Sequence, residues 1–215
     1  MPKERERASK AKRFLDWLAA VDARDDSAPE ANAARAPTLV ELAELAAAYA
    51  DQAFERAGGE ARAAALDCRR GCAFCCHLPV ETTAAEAARV IEYARARLDD
   101  AGFNALASRI AAADTAYRLS SDQPPARHPP CPFLCDDACS VYAVRPLACR
   151  GWNSTDAAAC ESAYLEGITA VTVPVDTRIR DVYANASEAL ARGLVQSGRG
   201  GPVHLVPTLR RLLDS

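Results

Sequence analysis

Nine cysteines fall between positions 68 and 160 of a 215-residue chain, and none lies outside that stretch. They stand at positions 68, 72, 75, 76, 131, 135, 139, 149 and 160. A disulfide scaffold is a poor explanation. The number is odd, and a chain of this length can bury a core without covalent staples. The opening Met1-Pro2-Lys3-Glu4-Arg5-Glu6-Arg7 has no apolar stretch of the kind an export signal needs. The chain therefore reads as cytoplasmic, where clustered thiols bind metal or do redox chemistry more often than they cross-link.

The spacing carries the chemistry. The first group reads Cys68-Arg69-Arg70-Gly71-Cys72-Ala73-Phe74-Cys75-Cys76-His77. Two residues between Cys72 and Cys75 let a tight loop aim two sulfurs at one ion, with backbone N–H groups turned towards them. Third and fourth thiolates complete a tetrahedral zinc site or supply one ligand per iron of a cubane cluster. Adjacent Cys75 and Cys76 do not easily point the same way. One serves the first site; the other faces a second ion or stays a protonated thiol. The second group reads Cys131-Pro132-Phe133-Leu134-Cys135-Asp136-Asp137-Ala138-Cys139, then Arg145-Pro146-Leu147-Ala148-Cys149-Arg150. Folded against the first, it closes the site through Cys131, Cys139 and Cys149. Four thiolates around a divalent ion leave a charge of about −2, which Arg69, Arg70, Arg145 and Arg150 can offset.

This order of motifs, a CxxCxxCC-like group, then Cys-Pro-Phe-Leu, Cys-x-x-Tyr and Arg-Pro-x-x-Cys-Arg, resembles the YkgJ-type cysteine cluster proteins, a family described as zinc- or iron-chelating. The likeness spans residues 68–160. It departs from the family pattern in the three-residue gap from Cys68 to Cys72 and in Cys135, an additional thiol. The resemblance implies metal binding. Related domains in flagellin lysine methylases, where the group is thought to be an iron–sulfur cluster, favour iron over zinc. Methyl transfer does not follow, because no glycine-rich strand-to-helix loop is present among ten glycines.

The expected metal ligands are Cys68, Cys72, Cys75, Cys76, Cys131, Cys139, Cys149 and Cys160, with Cys160 on a helix and divided between ligand and core. Cys135 reads as a spectator. His77 is either an additional ligand or hydrogen-bond donor to sulfur, or a surface loop residue; His128 and His204 read as structural. Trp152 either roofs the site or packs as an ordinary aromatic.

Around this centre the chain reads as mainly α, with helices framing an irregular cysteine-rich loop core and at most two short strands. Alanine fills 48 positions and favours helix. A helix over 3–24 turns Phe14, Leu15, Trp17, Leu18 and Val21 to one face, and 24–36 reads as a linker. Pro37 opens a helix that runs to Ala57. Thr83-Ala84-Ala85-Glu86 has capping-box spacing for a helix from 84 to about 100, burying Val90, Ile91 and Leu98. Gly102 separates it from a helix over 103–120. Five prolines make 121–132 extended. Ser154 caps a helix through Cys160 and Leu165, residues 168–173 form a strand, and a helix covers 176–195. Val203–Val206 form a second strand before a last helix over 208–214. The whole reads as a single domain, 1–215, with a basic N-terminal helix and linker over 1–36.

No run approaches the roughly 18 apolar residues that span a bilayer. The net charge of −3 argues against general polyanion binding, so no specific nucleic-acid role is expected. Two functions stay open. One is a structural or redox module holding an iron–sulfur cluster (favoured) or Zn²⁺, working with an unidentified protein or redox partner. The other is a metal- or thiol-dependent enzyme acting on an unknown substrate, its pocket lined by Arg145, Arg150 and Asn153.

Overall fold

The computed structural model describes residues 2–23, 36–119, 129–167 and 170–214. Helix dominates, as the alanine content predicts. The helices are α1 (Pro2–Asp22), α2 (Leu39–Arg56), α3 (Gly59–Ala63), α4 (Ala84–Arg95), α5 (Asp100–Leu119), α6 (Leu147–Gly151), α7 (Ala157–Glu166), α8 (Thr177–Gln196) and α9 (Leu205–Leu213). Two short antiparallel pairs accompany them. β1 (Glu81–Thr83) pairs with β4 (Pro202–His204), Thr82 opposite Val203. β2 (Leu134–Cys135) pairs with β3 (Ala138–Cys139).

Side chains with short reach set the helix starts. At α4 the capping box is complete: the Thr83 hydroxyl accepts from Glu86 N–H, and the Glu86 carboxylate accepts from Thr83 N–H. Thr38 and Glu41 do the same for α2, so Pro37 lies just before the cap rather than in the first turn. Asp176 caps α8 by accepting from Ile179 N–H. Asp156, not Ser154, caps α7, accepting from Ala159 N–H. The Ser154 hydroxyl instead donates to the carbonyls of Asp156 and Pro174.

Gly102 lies inside α5; the Asp99 carboxylate takes its N–H and starts that helix earlier than the glycine suggests. α4 stops at Arg95, which leaves Leu98 exposed, and Leu15 points outward from α1. Residues 170–173 form no strand. Residues 168–169, most of the 24–36 linker and the proline-rich stretch 121–128 with His128 lie outside the described residues.

Two apolar cores flank the cysteine region. The first joins Phe14 and Leu18 of α1, the alanine-rich face of α2, Leu147 of α6, and Ile179, Leu190 and Leu194 of α8. Alanines 43, 46 and 50 let neighbouring helices approach α2 closely. The second joins Val90 and Ile91 of α4, Leu106 and Ile110 of α5, Leu205 and Leu209 of α9, and Phe133, Val141 and Val144 from the second cysteine segment. α4 serves both, through Ala85 on one side and Ala87 and Val90 on the other. The second cysteine segment therefore has Phe133 in one core and Leu147 in the other. Among the described residues no helix is long and apolar enough to cross a membrane.

Candidate metal centre

The first cysteine group is loop with a single 3-10 turn, Phe74–His77. Gly71 takes φ +92° just before Cys72, a backbone state that strongly favours glycine. Cys76 N–H donates to Ala73 O at 2.9 Å, and Leu78 N–H to Cys75 O at 3.2 Å. The start of the group is tied to the approach to α7. Asp67 N–H donates to Ser154 O, and the Asp67 carboxylate accepts from Ala157 N–H. Ser154 N–H donates to Cys68 Sγ at 3.2 Å. Tyr164 of α7 covers the 3-10 turn, its ring 4.7 Å from His77 and 5.9 Å from Phe74.

The second group is more regular than a loop. Residues 134–139 form a hairpin whose two-residue turn, Asp136–Asp137, has φ +48° and +55°. Tight hairpins need positive φ at both turn positions, and aspartate tolerates that better than most residues. Ser140 N–H and its hydroxyl both donate to Phe133 O, which closes the base of the hairpin. Cys149 follows on α6. Glu86 holds that helix: one carboxylate oxygen accepts from Leu147 N–H at 2.7 Å, the other from Thr82, Thr83 and the Thr83 N–H.

One backbone hydrogen bond joins the two groups: Cys131 N–H donates to Cys76 O at 2.8 Å. Around it the thiols interact. Burial pushes Cys131 up to about 11, and charge on Cys139, Cys75 and Cys135 adds to the rise. Cys149 is pushed up by burial first and then by Cys131, Cys75 and Cys139. Cys139 rises through burial, with Cys75 among its neighbours. Cys75 rises most: its hydrogen bond with Cys76 is the largest cause, burial the next. Cys75, Cys131, Cys139 and Cys149 thus lie within electrostatic reach of one another. A second set forms where Cys68 meets Cys72, Cys75 and Cys160, with burial again the main cause of its rise. Cys160 rises for the same reason and faces Cys72 and Cys75. Cys75 belongs to both sets. Cys135 lies beside Cys131 and Cys139 rather than apart from them.

All nine cysteines are free thiols. Among the described residues, no three His, Cys, Asp or Glu side chains already form an ion cage. The donor chemistry suits zinc or iron–sulfur, since both prefer soft thiolates.

Of the four arginines, Arg145 is the one that meets the thiols. Its charge opposes the rise at Cys75, Cys139 and Cys149. It stacks 3.8 Å over the Tyr142 ring, and its Nε is buried without a hydrogen-bond partner. Arg150 is a clamp: it donates to Asp51 at 2.6 Å and to the carbonyls of Arg145 and Ala143. Arg69 and Arg70 are exposed. Asn153 is buried and ties α6 to the start of α8 through Gly151 O, Asp176 O and Asp176 N–H. Trp152 is exposed. His77 lies tilted against the Tyr164 ring, and burial holds its basicity below the usual histidine value against the pull of Asp137. The residue that sequence reasoning missed is Glu86. Its place in a capping box was legible; its second oxygen, reaching α6 across 61 positions, was not.

No significant match to a curated protein or to a solved structure is found. Residues 67–165, which hold all nine cysteines, match the family model described as "CxxCxxCC: Putative zinc- or iron-chelating domain", so the family resemblance read from the motifs is shown over that stretch.

Proposed function

We propose that the chain holds an iron–sulfur cluster, or alternatively Zn²⁺, through thiolates drawn from Cys68, Cys72, Cys75, Cys76, Cys131, Cys139, Cys149 and Cys160. The role is structural or redox. The reading is supported by the Cys131–Cys76 backbone hydrogen bond, which ties the two cysteine groups together, and by Cys75, Cys131, Cys139 and Cys149 lying within electrostatic reach of one another. These four cysteines come from two segments more than fifty residues apart in the chain. A chain with no ligand in view gains little from gathering so many ionisable groups.

This set of four is the inner one, and Cys75 is its link to Cys68, Cys72 and Cys160. The raised thiols remain protonated near neutrality, so each ligand gives up a proton as it binds. A bound ion or cluster draws the sulfurs inward and supplies the charge that ionised thiols need. Arg145 offsets part of the remaining negative charge, and Ser154 N–H solvates Cys68. Binding therefore couples to the ordering of two long loops.

Single Cys→Ser variants at 75, 131, 149 and 135 test the assignment, each checked for helix content by circular dichroism. The first three lose most of the metal, and Cys135→Ser retains it. Full metal occupancy in Cys131→Ser and Cys149→Ser together overturns the ligand set.

A further inference from the structure

A cleft of about 240 Å³ opens between α1, α2 and α4. It is smaller than the roughly 300 Å³ at which drug-sized pockets begin. Its walls are mostly charged, and most of those charges already have partners. Lys10 answers Glu6 at 3.2 Å and Glu44 at 3.8 Å. Asp51 takes Arg150, and Arg7 is bonded to Glu55 on the rim.

Two cations remain. Among the described residues, neither Lys3 nor Arg89 has a carboxylate partner. The Arg89 Nε is buried and makes no hydrogen bond. A buried guanidinium N–H without an acceptor is costly, and native proteins rarely leave one so. Burial, and then Arg150, work against its charge, only partly offset by Glu44, Asp51 and Glu86. Arg89 lines the cleft beside Ala47 and Ala48 of α2.

We propose that this cleft binds a small oxyanion, a phosphate or a carboxylate group, on the Arg89 guanidinium with the Lys3 ammonium as its second contact. The planar fork of arginine matches either group with two parallel hydrogen bonds. A cationic ligand would add to the unanswered charge. A neutral one would leave it. The proposal is independent of what the cysteines hold, since none of them lines the cleft.

Calorimetric titration of the full chain with inorganic phosphate, and separately with succinate, at fixed ionic strength tests it. The expected result is saturable one-to-one binding of at least one. Phosphate alone identifies a phosphate ligand, and succinate alone a carboxylate. Arg89→Gln weakens binding about tenfold or more, the loss expected for one charge-assisted hydrogen bond. Arg89→Lys keeps the charge without the fork and retains part of the affinity. Lys3→Ala changes an exposed residue and weakens binding several-fold, so the test stands if Arg89→Gln does not fold. Absence of binding to either anion at about ten millimolar, or unchanged affinity in Lys3→Ala and in whichever Arg89 variants fold, overturns the proposal.

Discussion

Glu86 shows how much one buried side chain can hold. Its two oxygens fasten the end of β1, the start of α4 and the first turn of α6. Replacing it by alanine strands the Leu147 N–H and two threonine hydroxyls. Hydrogen bonds to a charged group are worth about 1.5–3 kcal/mol each, but not additively. We expect Glu86→Ala to lower stability by about 3 kcal/mol in urea unfolding, and Glu86→Gln by less, since its amide carbonyl still accepts. A loss within about 0.5 kcal/mol, typical of a plain surface change, would remove Glu86 from this role. Arg145 acts at the same scale on the thiols. Groups just outside a metal's ligands typically alter affinity 10- to 100-fold. Arg145→Gln should therefore weaken metal retention against a chelator by about tenfold, and Arg145→Lys should recover part of it. Equal retention in all three proteins would mean that Arg145 serves only the stack on Tyr142.

Elements were legible where the signal is local. Thr83 and Glu86 sit three residues apart, and the box they predict is complete. The hairpin was not legible, because Asp136–Asp137 carries no glycine to mark its positive φ. Of the β1–β4 pair, the second strand was expected over Val203–Val206 and lies at Pro202–His204, with α9 starting at Leu205, while β1 and the pairing escaped for another reason. Each strand is three residues long, and their partners lie more than a hundred residues apart. Ser154 misled because it has the right side chain for a cap but spends it on the Asp156 and Pro174 carbonyls. The cap at Asp176 supports a pH prediction. The Ile179 N–H, foremost, and the Arg62 guanidinium hold its carboxyl below the usual aspartate value near 3.8. A depressed carboxyl stabilises the fold above its ordinary pKa. That stabilisation is lost as pH falls through the lowered value. Urea midpoints measured from pH 5 downwards should fall, and Asp176→Asn should fall less steeply over the same range. Parallel curves would contradict the assignment. Where α8 crosses α1, a Cβ on Gly193 would come within 2.4 Å of the Trp17 ring and 3.0 Å of Leu18. Overpacking of that kind costs about 1–3 kcal/mol, so Gly193→Ala should lower the thermal midpoint by several degrees. An unchanged midpoint would show that Trp17 swings clear.

For the molecule as a whole, the motifs suggested that the second group closes on the first through Cys131, Cys139 and Cys149. They did not indicate that Cys75 lies within electrostatic reach both of Cys149 on α6 and of Cys68 and Cys160. That depends on the Cys131–Cys76 hydrogen bond and on two cores gripping the same segment. Long-range register of this sort follows from packing, and packing is invisible in a single chain's motifs. It also explains why Arg150 pairs with Asp51 rather than with a thiolate. Metal bound across two separated loops would stabilise the folded chain, and falling pH would displace it, each thiolate taking up a proton as the metal leaves. The most direct measurement is metal and acid-labile sulfide content of protein purified without oxygen, with a visible spectrum of the same sample. The account predicts a brown protein containing iron and sulfide. Colourless protein with stoichiometric zinc would keep the thiolate centre and displace the cluster. Folded protein that is colourless and free of metal would contradict the central claim.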